Sequence, residues 1–181
     1  MGMLQITVPA REFFDEKTQT FYTTKECVLR LEHSLLSIDK WEAKWHKPFI
    51  SNNKKDKRTN EEMLDYIKCM TLNNVPDEIY LALTPDNVKA IRDYIDDPMT
   101  ATTVKSEKGS SNEIVTSTLI YYWMLALGIP FECEKWHINK LLMLIKVANA
   151  KNNPKKMGRR DILSQNHAIN QARRKRLRSR G

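Results

Sequence analysis

The stretch CVLRLEHSLLSIDKWEAKW, residues 27–45, changes its hydrophobic period part-way along, and that change sets the fold class. Cys27, Leu29 and Leu31 alternate with Val28 and Arg30, a period of two that fits a strand. Beyond residue 34 the period becomes 3.6. Ile38, Trp41 and Trp45 fall at i, i+3 and i+7, with Ser37 placed to cap the helix and Pro48 beyond its end. Working backwards, Leu4, Ile6 and Val8 alternate with Gln5 and Thr7 in a second strand stopped by Pro9. Asp15 to Thr18 reads as a turn between Phe13-Phe14 and Phe21-Tyr22. The β-branched and aromatic residues of this region fit a small antiparallel sheet.

Forwards, the chain reads as helix after helix. Thr59-x-x-Glu62 is a capping-box pattern opening a helix with Met63, Tyr66, Ile67 and Met70 inward. Pro76-Asp77-Glu78 starts a short helix. Thr84-Pro85-Asp86 starts the next, with Val88, Ile91, Tyr94 and Ile95 on its buried face and Pro98 stopping it. Ser51 to Arg58 reads as a basic loop, and Met99 to Asn112 as a loop or hairpin. Asn112 is placed to cap the most apolar helix, Glu113 to Leu127, expected at the centre of the core and ended by Gly128 and Pro130. Glu132 to Ala150 reads as one amphipathic helix with Ile138, Leu141, Leu142, Ile145 and Ala148 in a stripe. The expected fold class is α+β, mainly α. A single domain spans 1–150, β-rich over 1–31 and helical over 34–150, and a basic extension follows over 151–181.

Composition is in keeping with this. The chain has 181 residues, 41% apolar and 29% charged, with only 5 Gly and 7 Pro. Such a chain is globular and leans toward helix. Cys27, Cys69 and Cys133 are odd in number and form no CxxC pair, which disfavours disulfide and zinc use and fits a reducing compartment. No basic segment followed by an apolar one opens the sequence, and the longest apolar run, Leu119 to Leu127, is far shorter than the ~20 residues of a bilayer span. A soluble, intracellular protein without membrane association is the expectation.

Charge is unevenly spread. Residues 151–181 hold 11 of the 30 Lys and Arg but only one of the 22 acids, Asp161, so the tail carries +10 and the preceding 150 residues −2. From Arg159 on, helix propensity is good but the apolar stripe is thin, formed by Ile162, Ile169, Ala172 and Leu177. The expectation is a segment that is helical on a partner and frayed alone. Its charged residues Arg159, Arg160, Arg173, Arg174, Lys175, Arg176, Arg178 and Arg180 are the candidate partner-binding set. Phosphate backbone, an acidic protein groove and anionic lipid are the physical options for such a run.

Chemistry-bearing motifs are weak by comparison. His33, His46, His137 and His167 form no HxH or HExxH arrangement, and nothing in the sequence places His46 beside Cys27 or Cys69. His137 reads better as a surface or satisfied interior residue than as a general base. The acid pairs Glu61-Glu62 and Asp77-Glu78 complement helix N-termini, and Asp96-Asp97 suits a turn before Pro98. Neither GxxxxGK[ST] nor GxGxxG occurs. Trp41, Trp45, Trp123 and Trp136 suit core packing better than a base-stacking platform. The reading is of a protein that is not an enzyme, with no catalytic, cofactor or metal residues.

The segments LRLEHSLLSIDKWEAKWHKPF (29–49), DYIKCMTL (65–72), DDPMTAT (96–102), IYYWMLALGIPFECEKWHINKLLMLIKVANAKNNPKKM (120–157) and NQARRKRLRSRG (170–181) resemble a family of small proteins encoded by tailed double-stranded DNA bacteriophages. Their layout, a short N-terminal β-hairpin followed by a helical bundle, is similar to that of tail assembly chaperones. The resemblance implies a non-enzymatic protein that binds the tape-measure protein in the host cytoplasm before the tail tube polymerises. It implies no site residues. Two other roles stay open at this point. One is a virion component at the tail or head–tail junction, with neighbouring virion subunits as partners. The other is a nucleic-acid binder acting through the basic arm, with possible DNA contact there.

Overall fold

The computed structural model describes residues 2–15, 19–50, 58–103, 114–152 and 159–177. The expected basic loop at 51–57, the turn residues 16–18, most of the Met99–Asn112 stretch with the Asn112 cap, the Asn153-Pro154 break, Arg178 and Arg180 lie outside them. The architecture is mixed and mainly helical, at 57% helix, with short antiparallel strands at the N-terminus. The chain divides into two compact units, Met1–Val147 and Ala148–Gly181.

The first unit begins with four strands: β1 (Leu4–Val8), β2 (Arg11–Asp15), β3 (Thr20–Thr24) and β4 (Cys27–Leu31). β1 pairs with β4 from Leu4↔Leu31 to Val8↔Cys27, and β2 pairs with β3 from Arg11↔Thr24 to Asp15↔Thr20. The residue numbers of every pair add to 35, so both ladders belong to one long hairpin in one register. Pro9 has no N–H to give a ladder, and the hairpin is interrupted there. Its inner half is buried: Ile6, Val8, Leu29 and Leu31 face the core, as the alternation requires. The free edge of β4 is covered, because Leu72 donates its N–H to the Arg30 carbonyl at 2.8 Å and the Asn73 side chain bonds Arg30 N–H and the Val28 carbonyl. On the β1 side, Asn87 donates to the Thr7 carbonyl at 3.1 Å.

Helix α1 (Leu35–Trp45) turns Leu35, Ile38 and Trp41 inward. It starts earlier than the sequence indicates. Ser34 occupies the cap position, and Ser37 lies in the first turn, donating to the Glu32 carbonyl at 2.6 Å. Helix α2 (Asn60–Met70) opens with the Thr59/Glu62 capping box and buries Tyr66, Ile67 and Met70, with Met63 half-buried. A one-turn helix, α3 (Glu78–Leu81), precedes α4 (Pro85–Asp96), where Thr84 forms a capping box with Asn87 and Ile91 and Tyr94 are buried. Val88, expected inside, is 38% exposed.

Two expectations for the second half are corrected. The apolar helix α5 spans Ser117–Ala126, with Thr116 at its cap, so it begins later than the expected Glu113. It buries Ile120 and Met124 but leaves Tyr122 and Leu125 each 63% exposed, so it lines the core instead of running through it. The helix expected from Glu132 is two elements, a 3-10 turn over Phe131–Lys135 and α6 (Ile138–Asn152). Trp136 is extended between them, and His137 pairs with Ser34 in an isolated β-bridge. That long-range pairing overrides local helix propensity. In α6 Ile138, Leu141 and Ile145 are buried. The second unit contains α7 (Arg159–Leu177), 19 residues long.

Candidate functional site

Titratable chemistry in the first unit concentrates where α1, α4 and α6 begin or end. His33 and His137 are both buried, with ring centroids 4.9 Å apart and edge to face. The Tyr66 hydroxyl and His33 Nδ1 share a hydrogen bond, and burial holds the phenol protonated by raising its pKa. His33 is pushed down from 6.5 to about 3, first by burial and then by the neighbouring His137 and Arg58. The Asn139 N–H donates to His137 Nδ1 at 3.3 Å, which leaves Nε2 to donate to the Tyr94 carbonyl at 2.9 Å. His137 is therefore the neutral Nε2–H tautomer, and burial lowers its pKa. The Tyr94 hydroxyl accepts from the His33 N–H at 3.2 Å and donates to the Gly2 carbonyl at 2.6 Å. Among the described residues no buried side-chain nitrogen or oxygen lacks a partner. His137 is thus a satisfied interior histidine, the reading its sequence context favoured.

A second polar group fastens α1 to its neighbours. Glu42 accepts the Phe49 N–H on one carboxylate oxygen and the Ser117 N–H on the other, both at 2.7 Å. Ser117 in turn donates its hydroxyl to Asp39 at 2.8 Å. Glu62, in the α2 capping box, accepts from Lys47 at 2.5 Å, and that bond and the Thr59 N–H hold its carboxyl below the usual range. Its backbone carbonyl accepts from Trp41 Nε1 at 2.9 Å. These contacts place helices, and Asp39, Glu42, His46, Lys47 and Ser117 line a shallow pocket beside α1.

The remaining sequence candidates are dispersed. Cys27, Cys69 and Cys133 are free thiols, with burial raising the pKa of Cys69 and Cys133. Among the described residues no hydrogen bond joins a histidine to a cysteine, and no three His, Cys, Asp or Glu side chains are grouped to hold a metal. Trp41 is buried, and Trp45, Trp123 and Trp136 are half-buried against the core, with the Lys140 ammonium 4.5 Å from the centre of the Trp136 ring. No helix among the described residues is long and apolar enough to cross a membrane.

Two surfaces stand out. On α5, Thr118, Tyr122, Leu125 and Ala126 follow i, i+4, i+7 and i+8 and are all exposed, opposite Ile120 and Met124. Ile114, 66% exposed, precedes this row, and Phe131, 49% exposed, follows it. Because Leu119 to Leu127 is apolar on every side, periodicity alone gives no outward face, and only packing identifies one. The other surface is in the second unit. Arg159, Arg160, Arg173, Arg174, Lys175 and Arg176 all belong to α7, and Arg173 is exposed.

No protein-family model, curated protein or solved structure matches this chain.

Proposed function

We propose that this protein is a non-enzymatic tail assembly chaperone of a tailed double-stranded DNA bacteriophage, holding the tape-measure protein in the host cytoplasm until the tail tube forms. The observation that carries the reading is the outward face of α5. Apolar rows left exposed on a folded helix mark interaction surfaces. A row spaced i, i+4, i+7 suits an amphipathic helix laid against it, which is the kind of segment a long, helical tape-measure protein supplies. The resemblance of residues 29–49, 65–72, 96–102, 120–157 and 170–181 to small phage proteins supports the same assignment.

Co-expression with the tape-measure protein is the test. Co-purification and a gain in its soluble yield are expected, and both should be lost in Tyr122→Ser/Leu125→Ser. If the tape measure neither co-purifies nor becomes more soluble, the assignment fails.

One feature favours a second reading, a structural subunit of the tail or head–tail junction. The outer half of the hairpin carries Phe14 and Phe21, 45% and 79% exposed with ring centroids 4.8 Å apart, an arrangement suited to packing on a neighbouring virion subunit. Retention at a fixed copy number in purified particles supports this reading, and absence from particles supports the chaperone.

A further inference from the structure

We infer that α7 binds duplex nucleic acid, crossing the major groove with a cationic collar against each phosphate wall and its polar middle over the base edges. The inference is independent of the chaperone assignment, which rests on α5.

Six of the 19 positions of α7 are Arg or Lys and one is acidic. Successive positions on an α-helix step by about 100°. The consecutive residues Arg173, Arg174, Lys175 and Arg176 therefore surround the axis, leaving no arc wider than about 100° free of a cation. An anionic bilayer takes a helix with a broad apolar face, and the stripe of Ile162, Ile169, Ala172 and Leu177 is thin. In a helix laid across a groove, positions 173–176 reach the phosphates of one strand and the Arg159-Arg160 pair those of the other.

Length and composition narrow the choice further. The Arg159-Arg160 pair and the centre of the 173–176 collar are 15 positions apart, about 22 Å along the axis. That is enough to cross a groove about 12 Å wide and reach the phosphates on both sides. Between the collars lies SQNHAINQ, residues 164–171, in which Asn166, Asn170 and Gln171 are exposed. Asn166 and Asn170 stand at i and i+4 on one face, and amide side chains both donate to and accept from base edges. Sequence-tolerant binding of single strands relies on aromatic platforms. Residues 159–177 contain no Phe, Tyr or Trp.

The experiment uses the full chain and a fluorescent DNA duplex of about 24 base pairs, with affinity read by anisotropy between about 50 and about 200 mM salt. Six neutralised phosphates give a log–log slope of about −5 and a loss of about a thousandfold over that range. The variant R173Q/R174Q/K175Q/R176Q is expected to bind far more weakly, with the slope reduced to about −2. R174Q and R176Q, on opposite sides of the helix, are each expected to lower the slope's magnitude by about 0.9. N166A/N170A should weaken binding with the slope unchanged. An unchanged melting temperature shows that the first unit of each variant is intact. Wild-type affinity in the quadruple variant overturns the inference, as does single-stranded DNA binding as tightly as duplex. Preference for polyglutamate, the mark of an acidic protein partner, or for vesicles of anionic lipid overturns it too.

Discussion

His33 and His137, 104 residues apart in the chain, meet edge to face at 4.9 Å inside the first unit, each neutral and each hydrogen-bonded. The backbone follows the same path: the Ile138 N–H donates to the His33 carbonyl at 2.9 Å. The pair joins the start of α6 to the loop before α1. It is an interior fastening made from groups that titrate near neutrality in water.

Acid should release this fastening. The groups facing the pair are Arg58, Tyr66, Tyr94 and Asp97. Of these, Asp97 favours a charged His137, but burial prevails. With His33 lowered to about 3, the unfolded chain binds a proton below 6.5 that the native chain refuses until about 3. Stability is thus complete above 6.5 and falls as the pH drops through that window. By pH 4 the loss from His33 is on the order of 3 kcal/mol. Melting temperatures measured from pH 7.5 to pH 4 should fall steeply in the wild type and less steeply in His33→Gln. Equal slopes in the two proteins would remove His33 as the cause.

Glu42 makes a second prediction. Glu42→Ala strands the Phe49 and Ser117 N–H groups, and leaving buried donors unpaired costs about 1–3 kcal/mol each. Urea denaturation is expected to show a loss of about 2–5 kcal/mol. Glu42→Gln keeps one accepting oxygen and should lose less. A loss below about 0.5 kcal/mol in Glu42→Ala would show that neither bond matters.

Opposite faces of α5 should respond oppositely. Ile120→Ala and Met124→Ala remove buried side chains and are expected to cost about 2–5 kcal/mol each. Tyr122→Ser and Leu125→Ser, on the exposed row, should stay within about 0.5 kcal/mol of wild type while reducing binding of a hydrophobic dye. Strong destabilisation by the outer pair would mean that this face is covered within the chain.

Hydrogen exchange should divide the hairpin. β1 and β4 bury Ile6, Val8, Leu29 and Leu31, whereas Phe14 and Phe21 of β2 and β3 are exposed. A two-stranded ribbon without further packing is marginal in water. Amides of β2 and β3 are expected to exchange much faster than those of β1 and β4, as read by mass spectrometry of peptides on either side of Pro9. Uniform protection would show that the outer half is packed against something.

What the sequence revealed was local. The Thr59 capping box and the Thr84 cap depend on side chains within three residues, and both form where the pattern places them, with Asn87 completing a box at Thr84 that was not expected. The alternation of Leu4 to Val8 and Cys27 to Leu31 needed only the pleat. What it concealed depended on distant contacts. The break at Trp136 and His137 follows from a bridge to Ser34, about a hundred positions earlier. Ser34 and Ser37 are chemically equal candidates for the α1 cap, and nothing within that helix ranks them. Burial of Glu62 was equally hidden, since Lys47 and Trp41, which bond to it, are remote in sequence. For the candidate sites, the cations could be located from composition alone. Their encirclement of an axis appears only because α7 continues through Arg176.

The constant sum of 35 across the hairpin separates the length of its arm from the identity of the body. Removing two residues from each strand at paired positions beyond Pro9 would shorten the arm, keep Phe14 and Phe21 on the same face and leave every inner pair unchanged. A deletion from one strand alone would put the outer pairs out of step with the inner ones. Evolution or engineering can therefore adjust the reach of Phe14 and Phe21 by matched edits, while the packing of Ile6 against Leu29 stays fixed.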